Sequence, residues 1–174
     1  LLGEALEAKP FFNFFGSNVS LSGDGSRISI STSNPRLTEV YEYENSAWKL
    51  IHTIEFWGGY NQLSIDGKTL MISEGRRIIV YSENDDGTWA ASDVLELNTD
   101  VDFSWNVITA NFYPEFRHLS VGMLNASNQT TKLASADLVQ GQWIERRSEF
   151  YDTEYTDYGG IETATSIDGA LLVT

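Results

Sequence analysis

The sequence predicts an all-β chain of repeated four-stranded antiparallel meanders, and three observations carry that prediction. Within Asn61–Trp89 the apolar residues Leu63, Ile65, Leu70, Ile72, Ile78 and Val80 recur at every second position of each run. That period places side chains on one face of a sheet. Asp66-Gly67 stands between two such runs, and Asp-Gly is the favoured pair for a tight hairpin whose central residues both take positive φ. The pattern also recurs upstream, where SLSGDGSRISIS at Ser20–Ser31 matches QLSIDGKTLMIS at Gln62–Ser73, with the two Asp-Gly pairs 42 residues apart.

The overlay continues along the unit. Val40-Tyr41 matches Val80-Tyr81, and Trp48 matches Trp89 at a spacing of 41. Near the C-terminus SIDGALLV at Ser166–Val173 restates the strand–turn–strand start. The interval before it holds a degenerate copy, with strands expected at His118–Val121, at Lys132–Ala136 and from Trp143, and with Pro114-Glu115 in place of Asp-Gly. Four strands in a period of about 40–50 residues is the pattern of propeller blades. The chain then divides into residues 1–17 (end of a preceding blade and lead-in strand), 18–57 (repeat 1), 58–98 (repeat 2), 99–151 (degenerate repeat 3 with an insertion) and 152–174 (start of a further repeat). A part of a larger, incomplete propeller is the expected arrangement. A small ring closed through the two ends, or sheets buried by self-association, stay open as alternatives, because a lone repeat leaves its apolar face uncovered.

Taken in order, Leu1–Glu7 suits a helical turn that Pro10 ends. Phe11, Phe12, Phe14 and Phe15 follow and are expected between neighbouring sheets. The outer strand of repeat 1, WKLIHTIEF, alternates so that Trp48, Leu50, His52, Ile54 and Phe56 share a side, which makes His52 a packed residue rather than a ligand. Residues 98–113 are the least regular stretch, because the spacing between matching tryptophans lengthens to 54. Insertions in repeat proteins map to loops, and loops carry contacts. Asp100, Asp102, Phe103 and Trp105 are therefore one candidate contact surface, with carbohydrate or cation chemistry. Tyr151, Tyr155 and Tyr158, interleaved with Asp152, Glu154 and Asp157, are a second, since tyrosine is favoured at interfaces.

Composition narrows the rest. The 174 residues are 41% hydrophobic and 13% aromatic, enough for a core, and no apolar run approaches bilayer length. The N-terminus lacks the charged-then-apolar shape of a signal peptide, and zero cysteines exclude disulfides and thiolate chemistry without fixing the compartment. A net charge of −14, from 25 acidic and 11 basic residues, argues against nucleic acid as a partner. Sequons at Asn18, Asn125 and Asn128 are about as many as chance supplies. Short enzyme motifs (GxSxG, HExxH, P-loop, GxGxxG) are absent, and the two histidines, His52 and His118, fall in different repeats, which leaves a triad or multi-histidine site little to draw on.

GEA at Gly3–Ala5, FFG at Phe14–Gly16, NVSLSGDGSRISIS at Asn18–Ser31, VYEYE at Val40–Glu44 and Trp48 resemble FG-GAP-type repeats of large algal and bacterial surface proteins. LSIDGKTLMIS with the following IIVY is also similar to WD-repeat-like blades. The resemblance covers most of the chain. It implies a β-propeller used as a binding or assembly platform, in an extracellular or cell-surface setting. The chain departs from the calcium-binding form, which carries a loop like DxDxDG. NDDG at Asn84–Gly87 places its two carboxylates side by side instead, so no structural calcium and no cofactor are expected. The resulting expectation is a protein without enzymatic activity, a scaffold making protein, self-association or glycan contacts. The alternative is a propeller hydrolase or lyase with its active site largely outside this segment.

Overall fold

The computed structural model describes residues 5–55, 60–74, 77–96, 105–113, 118–125, 130–139, 142–152, 163–165 and 171–173. Every regular element among them is a β-strand. β1 (Asn18–Leu21), β2 (Arg27–Ser33), β3 (Arg36–Glu44) and β4 (Ala47–Glu55) form one sheet in that order. β5 (Asn61–Leu63), β6 (Thr69–Glu74), β7 (Arg77–Glu83) and β8 (Trp89–Glu96) form a second. β9 (Trp105–Tyr113), β10 (His118–Asn125), β11 (Thr130–Val139) and β12 (Gln142–Asp152) form a third, and β13 (Thr163–Thr165) with β14 (Leu171–Val173) a two-stranded hairpin. Sequential strands lie side by side, so each four-stranded sheet is the meander that the repeat predicts.

The chain falls into two compact units. The first holds residues up to Val94 apart from Gly75–Arg77, and the second the rest. In the first unit, the side chains of sheet 1 that point one way meet the matching face of sheet 2. Val40 and Ile54 pack with Leu63, Leu70, Ile72 and Trp89, and Ile51 and Tyr81 close the margin. Burying a side chain of this size is worth about 1.5–3 kcal/mol, so this face dominates the cohesion of the unit. In the second unit β13 lies against β9 and β10.

Among the described residues, the three hairpins with an Asp-Gly turn share one device, whereas the β3–β4 turn uses Asn45 and Ser46, both at positive φ. In each of the three, a Ser or Asn opens the turn, an Asp stands two residues on, and a glycine follows it at positive φ: Gly25 (71°), Gly67 (71°) and Gly87 (80°). The expected geometry with both central residues at positive φ is not adopted. The aspartates stay at negative φ because their carboxylates bind local donors. Asp24 Oδ1 accepts from Ser22 Oγ (2.8 Å), Ser26 N (2.9 Å) and Ser26 Oγ (2.8 Å). Asp66 Oδ1 accepts from Ser64 Oγ (2.6 Å) and Lys68 N (3.0 Å), and Asp86 Oδ1 from Thr88 N (2.9 Å) and Thr88 Oγ1 (2.6 Å). All three carboxyls are held below the usual aspartate range by these bonds, Asp24 at about 2, with the Ser26 backbone N–H the largest cause.

Several expectations are corrected. Ile65 does not join the apolar face, because it lies in the turn and is 65% exposed. A register shift between Val40 and Tyr41 pairs Tyr41 with Leu50 but Val40 with His52. This breaks the alternation of β4, lets Ile51 reach the core and leaves Leu50 and Trp48 on the other side. Trp48 is accordingly only half-buried, against Tyr43 at 5.1 Å, whereas Trp89 is buried. Phe11 (95% exposed) and Phe14 (77%) point into solvent rather than between sheets. Residues 5–7 are not helical, and residues 105–113, read as irregular, form the nine-residue β9, whose pairing with β10 shifts register between Gly122 and Met123.

Candidate functional site

Three polar constellations stand out. The first joins sheets 1 and 2. Asn61 at the start of β5 donates its backbone N–H to Asn18 Oδ1 (3.0 Å) and its Nδ2 to Asn18 O (3.3 Å) and Ser31 Oγ (2.6 Å). Its Oδ1 accepts from Ser29 Oγ (2.5 Å), and Ser31 and Thr38 share a bond of 2.9 Å. Ser29, Ser31, Thr38 and Asn61 are all buried, so each hydroxyl and amide needs a partner and finds one. Asn18, a sequon asparagine, thus serves as a structural acceptor.

Arg27 at the start of β2 makes the second. Its guanidinium binds Glu42 through Nε (3.0 Å) and Nη2 (2.9 Å), Glu83 through Nη1 (2.8 Å) and Nη2 (3.2 Å), and the carbonyl of Gly67 (3.2 Å). A rigid fork with five donors suits this bridging of two strands and a turn. Glu83 and Glu42 raise its pKa further, in that order of hydrogen-bond strength. Elsewhere in the unit, His52 stacks on Trp89 with ring centroids 5.9 Å apart and planes 15° apart, and burial lowers its pKa. The packed role expected for His52 is the one observed.

The third is a buried carboxylate. Glu39 in β3 is 1% exposed, accepts a bond from the Tyr41 hydroxyl (2.7 Å), and pairs with the ammonium of Lys9 on the opposite side. Lys9 Nζ also sits 5.4 Å from the Phe12 ring centroid. Desolvation, followed by the bond to Glu39, pushes the Tyr41 hydroxyl well above its usual range. Sequence reasoning missed this cluster because Glu39 and Lys9 lie 30 residues apart.

In the second unit the register brings a histidine opposite a carboxylate. His118, first in β10, pairs with Asp137 of β11, which is 6% exposed, and on its other side with Tyr113 of β9. Directly opposed residues share a face, with Cβ atoms about 5 Å apart. The only acidic residue near His118 in sequence is Glu115. Strand pairing supplies another from 19 residues away. In sheet 1 the same register position holds Arg27 opposite Glu42.

The predicted contact residues fare differently. Asp100, Asp102, Phe103, Tyr155 and Tyr158, together with Asn128, Pro114, Glu115 and Asp168, lie outside the described residues. Trp105 begins β9 and Tyr151 stands near the end of β12, so both belong to strands and not to the loops expected. Among the described residues no group of three or more His, Asp or Glu could hold a metal ion, and no helix is long and apolar enough to cross a membrane.

No family profile and no curated protein matches the chain. Solved structures do. Hydrazine synthase of Kuenenia stuttgartiensis matches with a TM-score of 0.61 at 13% identity, over 87% of this chain and 40% of that one. A periplasmic gluconolactonase of Pseudomonas aeruginosa matches at 0.55 and 18%, over 89% and 45%. A candidate 6-phosphogluconolactonase of Bacteroides uniformis matches at 0.52 and 16%, over 76% and 42%. The chain therefore spans less than half the length of each of these matches. The expectation that the protein is not an enzyme is overturned, because propellers named as enzymes share its sheets. That expectation rested on missing short motifs, and in a meander fold residues far apart in sequence are set opposite one another by strand register, as positions 118 and 137 are. The blades are thus of β-propeller type, all antiparallel and four-stranded.

Proposed function

We propose that the chain forms part of a β-propeller hydrolase that opens a lactone or similar cyclic ester, with further active-site residues on blades beyond these residues. The observation that carries the reading is the fold shared with the Pseudomonas gluconolactonase over 89% of this chain. It is an argument from fold analogy, since one fold hosts many activities. The register that sets position 118, a histidine, opposite the buried Asp137 adds chemical support, because a histidine next to a carboxylate is a common general base. In the reaction, water adds to the carbonyl carbon, the ring C–O bond breaks, and the proton taken from water passes to the departing oxygen to give the hydroxy acid. The blades themselves read as WD-like, supported by the Asp-Gly turns 42 residues apart.

The full-length protein is tested with glucono-δ-lactone in a pH-stat. Acid release well above the spontaneous rate, lowered about tenfold or more in His118→Gln with the melting temperature retained, is the expected result. Release equal to buffer alone, for this lactone and for p-nitrophenyl acetate, refutes the hydrolase reading.

A further inference from the structure

The Glu39 cluster breaks the repeat in a telling way. Aligning Val40-Tyr41 with Val80-Tyr81 sets Glu39 against Ile79, which is 8% exposed and apolar in sheet 2. An isoleucine therefore suits this position in this fold, and a carboxylate there carries a desolvation cost that apolar packing avoids. The carboxylate is matched by a phenol from its own strand, Tyr41 at 2.7 Å, so one face of the site is built into β3. The cation comes from elsewhere. Lys9 lies on the strap formed by residues 9–17, and its side chain is 48% exposed although its partner is almost fully buried.

The strap is tied to sheet 1 at the β2–β3 end, with Ser17 Oγ donating to Ser31 O (3.1 Å) and Ser33 Oγ to Asn13 O (3.4 Å). Its backbone ties are the Asn13–Asn34 bridge and the bonds of Gly16 N (3.1 Å) and Ser17 N (3.2 Å) to Ser31 O. Phe11 and Phe14 adopt φ of 73° and 56°, a region costly for residues with bulky side chains, and both rings stand in water. Lys9 thus ties this segment, strained at Phe11 and Phe14, to a buried carboxylate.

We propose that Glu39 and Tyr41 form a binding site for a primary alkylammonium group, filled here by the chain's own Lys9, and that an external ammonium competes for it. The site supplies a buried anion and a hydrogen-bonding hydroxyl, the complement of a cation with three donors. The strap acts as a plug whose removal opens the site.

The test uses n-butylammonium, which has the length of a lysine side chain, on the wild-type chain and on Lys9→Met, which keeps the stem without the charge. Calorimetry is expected to show binding to Lys9→Met about tenfold or more tighter than to wild type, and to lose it in Lys9→Met/Glu39→Gln. Tetramethylammonium, charged but without a donor, is expected to bind about tenfold more weakly than n-butylammonium. Nα-acetyl-lysine methylamide distinguishes sources: tighter binding than n-butylammonium indicates a lysyl peptide, weaker binding a small amine. If Lys9→Met does not fold, the wild type is read by chymotrypsin, where n-butylammonium is expected to speed cleavage after Phe11 or Phe14 and equal tetramethylammonium is not. Equal affinity in wild type and Lys9→Met, binding that survives Glu39→Gln, or unchanged cleavage with both salts overturns the proposal.

Discussion

Sheets 1 and 2 share their strand order, their turn device and much of their sequence, yet the same face meets different surroundings in each. In sheet 2, Leu63, Leu70 and Ile72 are 4%, 0% and 0% exposed, packed on Val40 and Ile54 of sheet 1. Their repeat counterparts in sheet 1 are Leu21, Ile28 and Ile30, which are 56% exposed, half-buried and 4% exposed in turn. The local pattern thus specifies a strand and its apolar side, whereas burial depends on what lies against that side: a whole sheet over Leu63, Leu70 and Ile72, and at Glu39 the segment that carries Lys9. The difference also shows where the repeat has been adapted, since the sheet 1 face carries Glu39 and the strap where sheet 2 carries Ile79.

The comparison is sharpened first by the tryptophans. Trp89→Ala is expected to cost about 3–5 kcal/mol in denaturant melts, and Trp48→Ala less than half of that, because Trp89 is buried and Trp48 half-buried. Equal losses would mean that the two sheets use their tryptophans alike. The turn glycines follow. Both Gly67 and Gly25 have φ of 71°, but a Cβ at Gly67 would lie 2.9 Å from Arg27 Cδ and 3.2 Å from Ser22 Cβ, while at Gly25 it meets nothing within 4 Å. Gly67→Ala should therefore cost about 2–3 kcal/mol and Gly25→Ala about 1 kcal/mol, by the same melts. Similar values would show that the clamp around Arg27 yields freely.

The smallest effect is in pH dependence. Burial lowers the pKa of His52 in the folded chain, so the neutral form is favoured there. Its contribution is fully present above the unfolded value of about 6.5 and is lost as pH falls through the folded value. His52→Phe, which keeps a ring to stack on Trp89, should lack this step when stability is followed from neutral to mildly acidic pH. Parallel profiles for the two proteins would remove His52 from the acid response.

Much of the fold was legible because its signals are local. Alternating apolar residues and Asp-Gly pairs mark β1 to β8, and even the degenerate third sheet keeps strands where His118–Val121, Lys132–Ala136 and Trp143 suggested. The constellations were not legible, since each is assembled by register. Arg27 reaches partners 15, 40 and 56 residues away, and Asn61 reaches back 43 residues to Asn18. The bulge at Val40/Tyr41 has no residue signal of its own, so the sides of Trp48 and Leu50 could not be read from alternation. Missing short motifs say little in such a fold, because positions such as 118 and 137 come to lie opposite each other only once β10 and β11 are aligned.

The central claim is that sheet 2 docks on sheet 1 through a face whose repeat counterpart in sheet 1 is not covered in the same way. Matched substitutions in one background, Leu63→Ala and Leu21→Ala, test it most directly through denaturant midpoints. The account predicts a loss of about 2–4 kcal/mol for Leu63→Ala and under about 1 kcal/mol for Leu21→Ala. Equal losses, or a larger loss for Leu21→Ala, would contradict it.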